Sequence, residues 1–211
     1  MGRSGVTVVL FLSGLLLLAA CSAGSSGAPA ARGTRATSSA TTAPAVASSA
    51  GSARIGPFTQ EFSTPLPASP AQATVVTDFR EAQILWMISL VAWRLTAPVT
   101  GYVVGDALSH LETAISANKS HHLVPSGTDR MFMTRVTGIN SGTATVTTCD
   151  DSSKYEEQDP GTGQVNAAYT PSRDQAYLSE TWQLVRLSGH WAISSFSIAS
   201  LPDQAARPCQ P

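Results

Sequence analysis

Apolar and polar residues follow four successive patterns along the chain. Val6 to Leu18 is an almost unbroken apolar run, and from Ser22 to Ala53 every residue is Ala, Ser, Thr, Gly or Pro except Arg32, Arg35 and Val46. From Thr74 to about Ala117 apolar positions recur every three or four residues, and from Met131 to Ala199 they largely alternate. A period near 3.6 marks helices and a period of two marks half-buried strands. The order predicted is therefore leader, tether, helices, sheet.

Val76, Phe79, Gln83, Trp86, Leu90 and Trp93 recur at helical spacing over Thr74 to Leu95, and the second half of this helix is apolar nearly all round. Arg80 and Arg94 bracket a run too short to span a bilayer, which needs ~20 residues, so burial against a sheet is the better explanation. After Pro98 and Gly101 a second helix is predicted at Val103 to Ala117, with Val104, Leu108, Leu111 and Ile115 as its buried stripe and Asn118 ending it in a left-handed conformation.

Met131 to Ile139 and Thr143 to Cys149 read as strands joined through Asn140-Ser141-Gly142. Asp150 to Gly163 is polar and reads as an exposed loop, followed by a short edge strand at Asn166 to Tyr169. Ala176 to Leu187 and His190 to Ala199 flank Ser188-Gly189, a two-residue turn in which glycine accepts positive φ. Counting outward from that turn sets Arg186 opposite Trp191, Leu184 opposite Ile193 and Trp182 opposite Ser195, with the guanidinium of Arg186 over the Trp191 ring. Val185, Ala192, Phe196 and Ile198 fall on the other face, so the sheet is expected to curve over a core.

Composition divides the chain further. Only 13% of the residues are charged, about half the ~25% of an average globular protein. The deficit lies mostly in the leader and tether; from residue 74 onward nine basic and thirteen acidic side chains leave a net −4. Such a domain lacks the clustered Lys and Arg of a nucleic-acid binder. Arg3, the apolar run and Leu18-Ala19-Ala20-Cys21 form a signal peptide over residues 1–20, and the tetrad resembles the lipobox of bacterial lipoproteins, which implies cleavage before Cys21 and a lipid on its thiol. Residues 21–73 then read as a disordered tether, although Ile55, Phe58, Phe62 and Leu66 offer docking points, and residues 74–211 as the folded domain. In an exported chain, Cys149 and Cys209 form an even pair expected to be a disulfide; the alternatives are two free thiols or a metal site, for which no CxxC or neighbouring histidine exists.

Two helices followed by a curved antiparallel sheet ending in Trp182-Gln183-Leu184-Val185-Arg186-Leu187-Ser188-Gly189-His190-Trp191 resemble the NTF2-like superfamily, an α+β cone also called cystatin-like or SnoaL-like. Residues 144–152, Ala-Thr-Val-Thr-Thr-Cys-Asp-Asp-Ser, with the Gly-His-Trp hairpin and the late Cys209, resemble actinobacterial envelope lipoproteins carrying such a domain. The resemblance implies a pocket inside the cone, used by some members for isomerase or dehydratase chemistry and by many for noncatalytic binding or assembly. Phe79, Trp86 and Trp93 are the expected pocket aromatics.

An isomerase or dehydratase needs a base and an oxyanion donor. His110 and Asp106, four apart on the second helix, with Tyr102 one turn earlier, are the candidate set; against it, Asp106 points away from the buried stripe. Asp150-Asp151 and His121-His122 have too few partners for a metal site, and no phosphate-binding glycine loop or His-Glu-x-x-His is present, so neither metal nor cofactor is expected. Three readings follow. The favoured one is a noncatalytic, membrane-anchored extracytoplasmic lipoprotein that binds an apolar small molecule or lipid, or an envelope protein. The others are an extracytoplasmic isomerase or dehydratase using His110 and Asp106, and an assembly subunit that forms a homodimer through a Trp182 and Trp191 surface. Replacing Cys21 with alanine is expected to release the protein from the membrane fraction or block its maturation; unchanged fractionation and unchanged gel mobility would contradict lipidation.

Overall fold

A computed structural model describes residues 51–172, 175–200 and 204–210. Strands β1 (Gly51–Ile55) and β2 (Phe58–Phe62) precede helices α1 (Pro70–Val91), α2 (Val99–Tyr102) and α3 (Gly105–His121). Strands β3 (Val124–Ile139), β4 (Thr143–Gln158), β5 (Tyr177–Leu187) and β6 (His190–Ser200) follow, and a 3-10 turn (Gln204–Cys209) closes the described chain. The six strands lie in sequence order in one sheet, antiparallel except for the parallel pair β2–β3. The expected α+β class, helices packed on a curved sheet, is the architecture observed.

The folded part begins earlier than residue 74. Gly56 adopts φ +59° and with Pro57 makes a two-residue turn, so Ile55 and Phe58 face each other across the β1–β2 hairpin. Phe58, Gln60 and Phe62 then alternate inward and are buried with Ile55. The apolar residues at 55, 58 and 62 dock, and residues 51–73 are not the tether that their composition suggests. Pro70 starts α1 where its missing N–H costs nothing, shifting the helix to residues 70–91 from the expected 74–95.

Helix α1 is buried on most of its circumference, including Val75, Val76, Phe79, Ile84, Leu85 and Leu90. Arg80 is buried too: its guanidinium bonds the Thr64 carbonyl and lies 5.3 Å from the Phe62 ring centroid. Helix α3 begins two residues later than expected because Val103 bridges Ile193 and the Val104 amide bonds the Ile193 carbonyl at 2.8 Å, leaving Ala107, Leu111 and Ile115 as its buried stripe. Its left-handed end is His122, φ 55°, rather than Asn118; the Leu123 amide reaches back to the Asn118 carbonyl at 2.8 Å.

Three differences in the sheet shape the interior. β4 continues to Gln158, so residues 150–158, expected as loop, are strand, and Asp150 and Ser152 extend the inward row of Ala144 and Val146. Residues 166–169 form no strand; nearby, Val165 makes an isolated bridge to Gln158. Between β5 and β6 the turn is as predicted, with Ser188 at φ 39° and Gly189 at φ 100°, and Arg186 faces Trp191 with its guanidinium 5.6 Å from the ring centroid. Beyond Leu184–Ile193, however, Ser194 is an extra residue in β6. This bulge sets Trp182 opposite Phe196, not Ser195, and brings Phe196 onto the face of Trp182. Cys149 and Cys209 form a disulfide, S–S 2.02 Å, which ties the 3-10 turn to β4.

Candidate functional site

Adjacent strands β2 to β5 each send polar side chains toward the same space: Gln60, Asp129, Asp150 with Ser152, and Glu180. Strand parity explains why they point inward. Gln60 lies between the buried Phe58 and Phe62, Asp129 is two residues from the buried Met131, and Glu180 is two from the buried Trp182. Helix α1 supplies Gln83, Trp86, Met87 and Leu90, and Phe196 closes the far side. Together they line a cavity of about 270 Å³, with Pro171 and Ile198 also contributing.

The apolar wall is built from rings. Trp182 stacks on Phe196 with centroids 4.6 Å apart and an interplanar angle of 30°. Trp86 stands edge-on to both, 6.2 Å from Trp182 and 5.7 Å from Phe196. The Ser194 bulge is what makes this trio, because an unbulged β6 would turn Phe196 to the other face.

The polar wall is acidic. Gln60 Nε2 donates to Asp129 Oδ2 at 2.9 Å, and Ser152 Oγ bonds Asp129 Oδ1 at 2.8 Å and Asp150 Oδ2 at 3.3 Å. The indole Nε1 of Trp182 donates to Glu180 Oε2 at 3.0 Å. Asp129 and Asp150 meet through Ser152, and the charge of Asp129 acts on Asp150 directly. Asp150 is 5% exposed and Glu180 4%. Burial, then the charges of Asp129 and Glu180, push Asp150 well above the usual carboxylate range. Burial, then Asp129, push Glu180 up to about 8, against the pull of the Trp182 indole. At neutral pH the carboxyl of Glu180 therefore keeps its proton. Tyr155 adds a phenol pushed well above its ordinary value by burial and by Glu157, to which its hydroxyl donates.

Two buried polar atoms of the lining are unanswered. No protein donor reaches Asp150 Oδ1, and Gln83 Nε2, on a residue 4% exposed, has no acceptor. Among the described residues, no group of three His, Cys, Asp or Glu is disposed to hold a metal ion.

The residues singled out from sequence are not gathered here as a set. Trp86 lines the cavity; Phe79 is fully buried behind it, 5.7 Å from Trp182. Trp93 sits past the end of α1, donating to the Leu123 carbonyl at 2.6 Å with its ring against His122, and is no part of the cavity. His110 and Asp106 are exposed on α3, and Tyr102 packs on His190 at 4.7 Å, so the three do not form a site. Trp182 and Trp191 are both buried, which removes the expected surface patch. Asp151 pairs with Arg130 at 2.8 Å rather than acting with Asp150, while His121 and His122 turn to Tyr169 and Asp159 separately. Cys21 lies outside the described residues.

No protein-family model and no curated protein matches the sequence. Among solved structures, the chain is similar to the intermembrane space region of the chloroplast protein ARC6, with 10% identity over 64% of this chain and 99% of that one, TM-score 0.39. It is also similar to a ketosteroid isomerase-like protein from Erwinia carotovora atroseptica SCRI1043, with 13% identity over 62% of this chain and 96% of that one, TM-score 0.38.

The buried acids make stability depend on pH in a definite direction. A carboxyl that holds its proton to about pH 8 when folded and to about 4.5 when unfolded binds more protons in the native state between those values, so stability falls as pH rises across that window. The melting temperature is expected to drop from pH 5 to pH 8. Glu180→Gln should flatten that slope and melt above the wild type at pH 8. A slope unaltered by the substitution would contradict the assignment.

Proposed function

We propose that the chain is an envelope lipoprotein, anchored through lipid on Cys21 at the extracytoplasmic face, whose NTF2-like cone binds a small molecule without transforming it. The observation that supports the binding reading is the cavity itself: an aromatic wall shares the space with unanswered polar atoms of Asp150 and Gln83. An interior with no ligand role would gain from filling that space and pairing those atoms, since each buried unsatisfied group costs roughly 1–3 kcal/mol. The Leu-Ala-Ala-Cys tetrad supports the anchor, and no helix among the described residues is long and apolar enough to cross a membrane. The resemblance of residues 144–152 and the terminal hairpin to actinobacterial envelope lipoproteins supports the compartment.

A ligand here is small. The volume is just below the ~300–1,000 Å³ of typical ligand pockets, so a lipid would enter by one end rather than whole. A second reading, proton transfer on a bound substrate, is favoured by one observation: the carboxyls of Asp150 and Glu180 are raised toward the pH at which an acid or base works best. On that reading they take the place of His110 and Asp106.

Protein purified with its lipid anchor is expected to carry a small molecule detectable by native mass spectrometry and released by organic extraction. Leu90→Trp, which fills the cavity from α1, should abolish that adduct while the protein stays folded. An adduct that survives in the folded variant would place the ligand elsewhere, and a wild type free of adduct that binds nothing from an envelope extract would contradict the binding reading. Conversion of the released molecule by wild type but not by Glu180→Gln would establish the second reading.

A further inference from the structure

The cavity floor carries more acid than its own hydrogen bonds answer. Asp129 receives Gln60 and Ser152, and Glu180 receives the Trp182 indole. Asp150 has only the longer Ser152 contact, at 3.3 Å. Its Oδ1 is unanswered, and none of the described residues lining the cavity is Lys, Arg or His. Asp150 and Glu180 thus share one apolar-walled space with the charge of Asp129 and with no cation to offset it.

The remaining lining narrows what could supply it. An ammonium group offers up to three N–H donors and no acceptor, which matches a floor of acceptor oxygens. The Trp86, Trp182 and Phe196 rings line the same space, where aromatic rings attract cations, and Met87, Leu90 and Met131 accept hydrocarbon. Gln83 Nε2, the one unanswered donor of the lining, leaves room for an acceptor on the same guest without requiring one. A carboxylate or phosphate would meet three acids and no cation among these residues, and a neutral hydrocarbon would leave both polar atoms unanswered.

We propose that the guest of the cavity is a small primary or secondary amine with an aromatic or compact apolar body, its ammonium seated among Asp129, Asp150 and Glu180. The assignment rests on the reading of the cavity as a ligand site and names the class of ligand. The entering ammonium replaces a proton held in the empty cluster: a carboxyl O–H breaks, the proton leaves to solvent, and the carboxylate pairs with the guest. Binding thus releases acid at neutral pH, which a neutral guest of the same shape would not do.

Isothermal titration of the full lipidated chain in detergent, at pH 7 in phosphate and in Tris, tests this with 2-phenylethylamine, 2-phenylethanol and phenylacetate. The amine is expected to bind at least about tenfold more tightly than the alcohol, as a charge-assisted hydrogen bond in place of a neutral one would give. Phenylacetate should not bind. The amine's heat should differ between the two buffers by the ionisation heat of the released proton. Asp150→Asn and Glu180→Gln should each narrow the ratio of amine to alcohol affinity. Alcohol binding as tightly as amine, with no buffer-dependent heat, would overturn the amine assignment and leave the ligand cavity standing. No binding by any of the three would overturn both.

Discussion

Ionising Asp129, Asp150 and Glu180 inside one apolar-walled space would set like charges side by side in a poorly solvated interior, and that cost governs much of what the fold can do. It raises Asp150 well above the usual carboxylate range and pushes Glu180 up to about 8. It also explains the hydrogen bonding around the floor: Gln60, Ser152 and the Trp182 indole are spent on carboxyl oxygens rather than on one another. A protonated Glu180 is tolerable in the empty cavity, whereas Asp150 and Glu180 ionised together need a partner of opposite charge.

The surrounding architecture determines that these acids meet a cavity and not a packed core. β4 runs on past Cys149, which carries Asp150 and Ser152 into the interior. The Ser194 bulge moves Phe196 across to Trp182, and α1 lays Trp86 edge-on against both. The β1–β2 hairpin supplies Gln60 to Asp129 while burying Phe58 and Phe62 on either side of it. The site is therefore a property of the whole sheet, assembled from side chains far apart in sequence.

Periodicity in the sequence was enough to recognise α1, the body of α3, the β5–β6 hairpin and the Arg186–Trp191 pairing, because each rests on local spacing. The Cys149–Cys209 bridge followed from parity of cysteines in a chain expected to be exported. What escaped was inward polarity. The polarity of residues 150–163 read as an exposed loop, although extending the row Ala144, Val146 by twos reaches Asp150 and Ser152, and the same step from Leu184 and Trp182 reaches Glu180. Asp129 follows likewise from Met131. The bulge at Ser194 left no signal, since inserting one serine changes neither composition nor hydropathy. The hairpin over residues 51–62 was hidden by an Ala- and Ser-rich start, and its burial depends on α1 and β3 arriving later in the chain. His110 and Asp106 satisfied the helical spacing of a catalytic pair yet sit on the exposed face of α3, a distinction that spacing alone does not make.

The central claim, buried carboxyls whose protons are held above the ordinary range, is open to direct observation. Carboxyl carbons of Asp and Glu, labelled with 13C and followed by NMR from pH 4 to pH 9, should include a Glu180 resonance that titrates near 8 and an Asp150 resonance that titrates well above the ordinary carboxylate range, assigned by Glu180→Gln and Asp150→Asn. All Asp and Glu resonances titrating in the ordinary range near ~4 would contradict it.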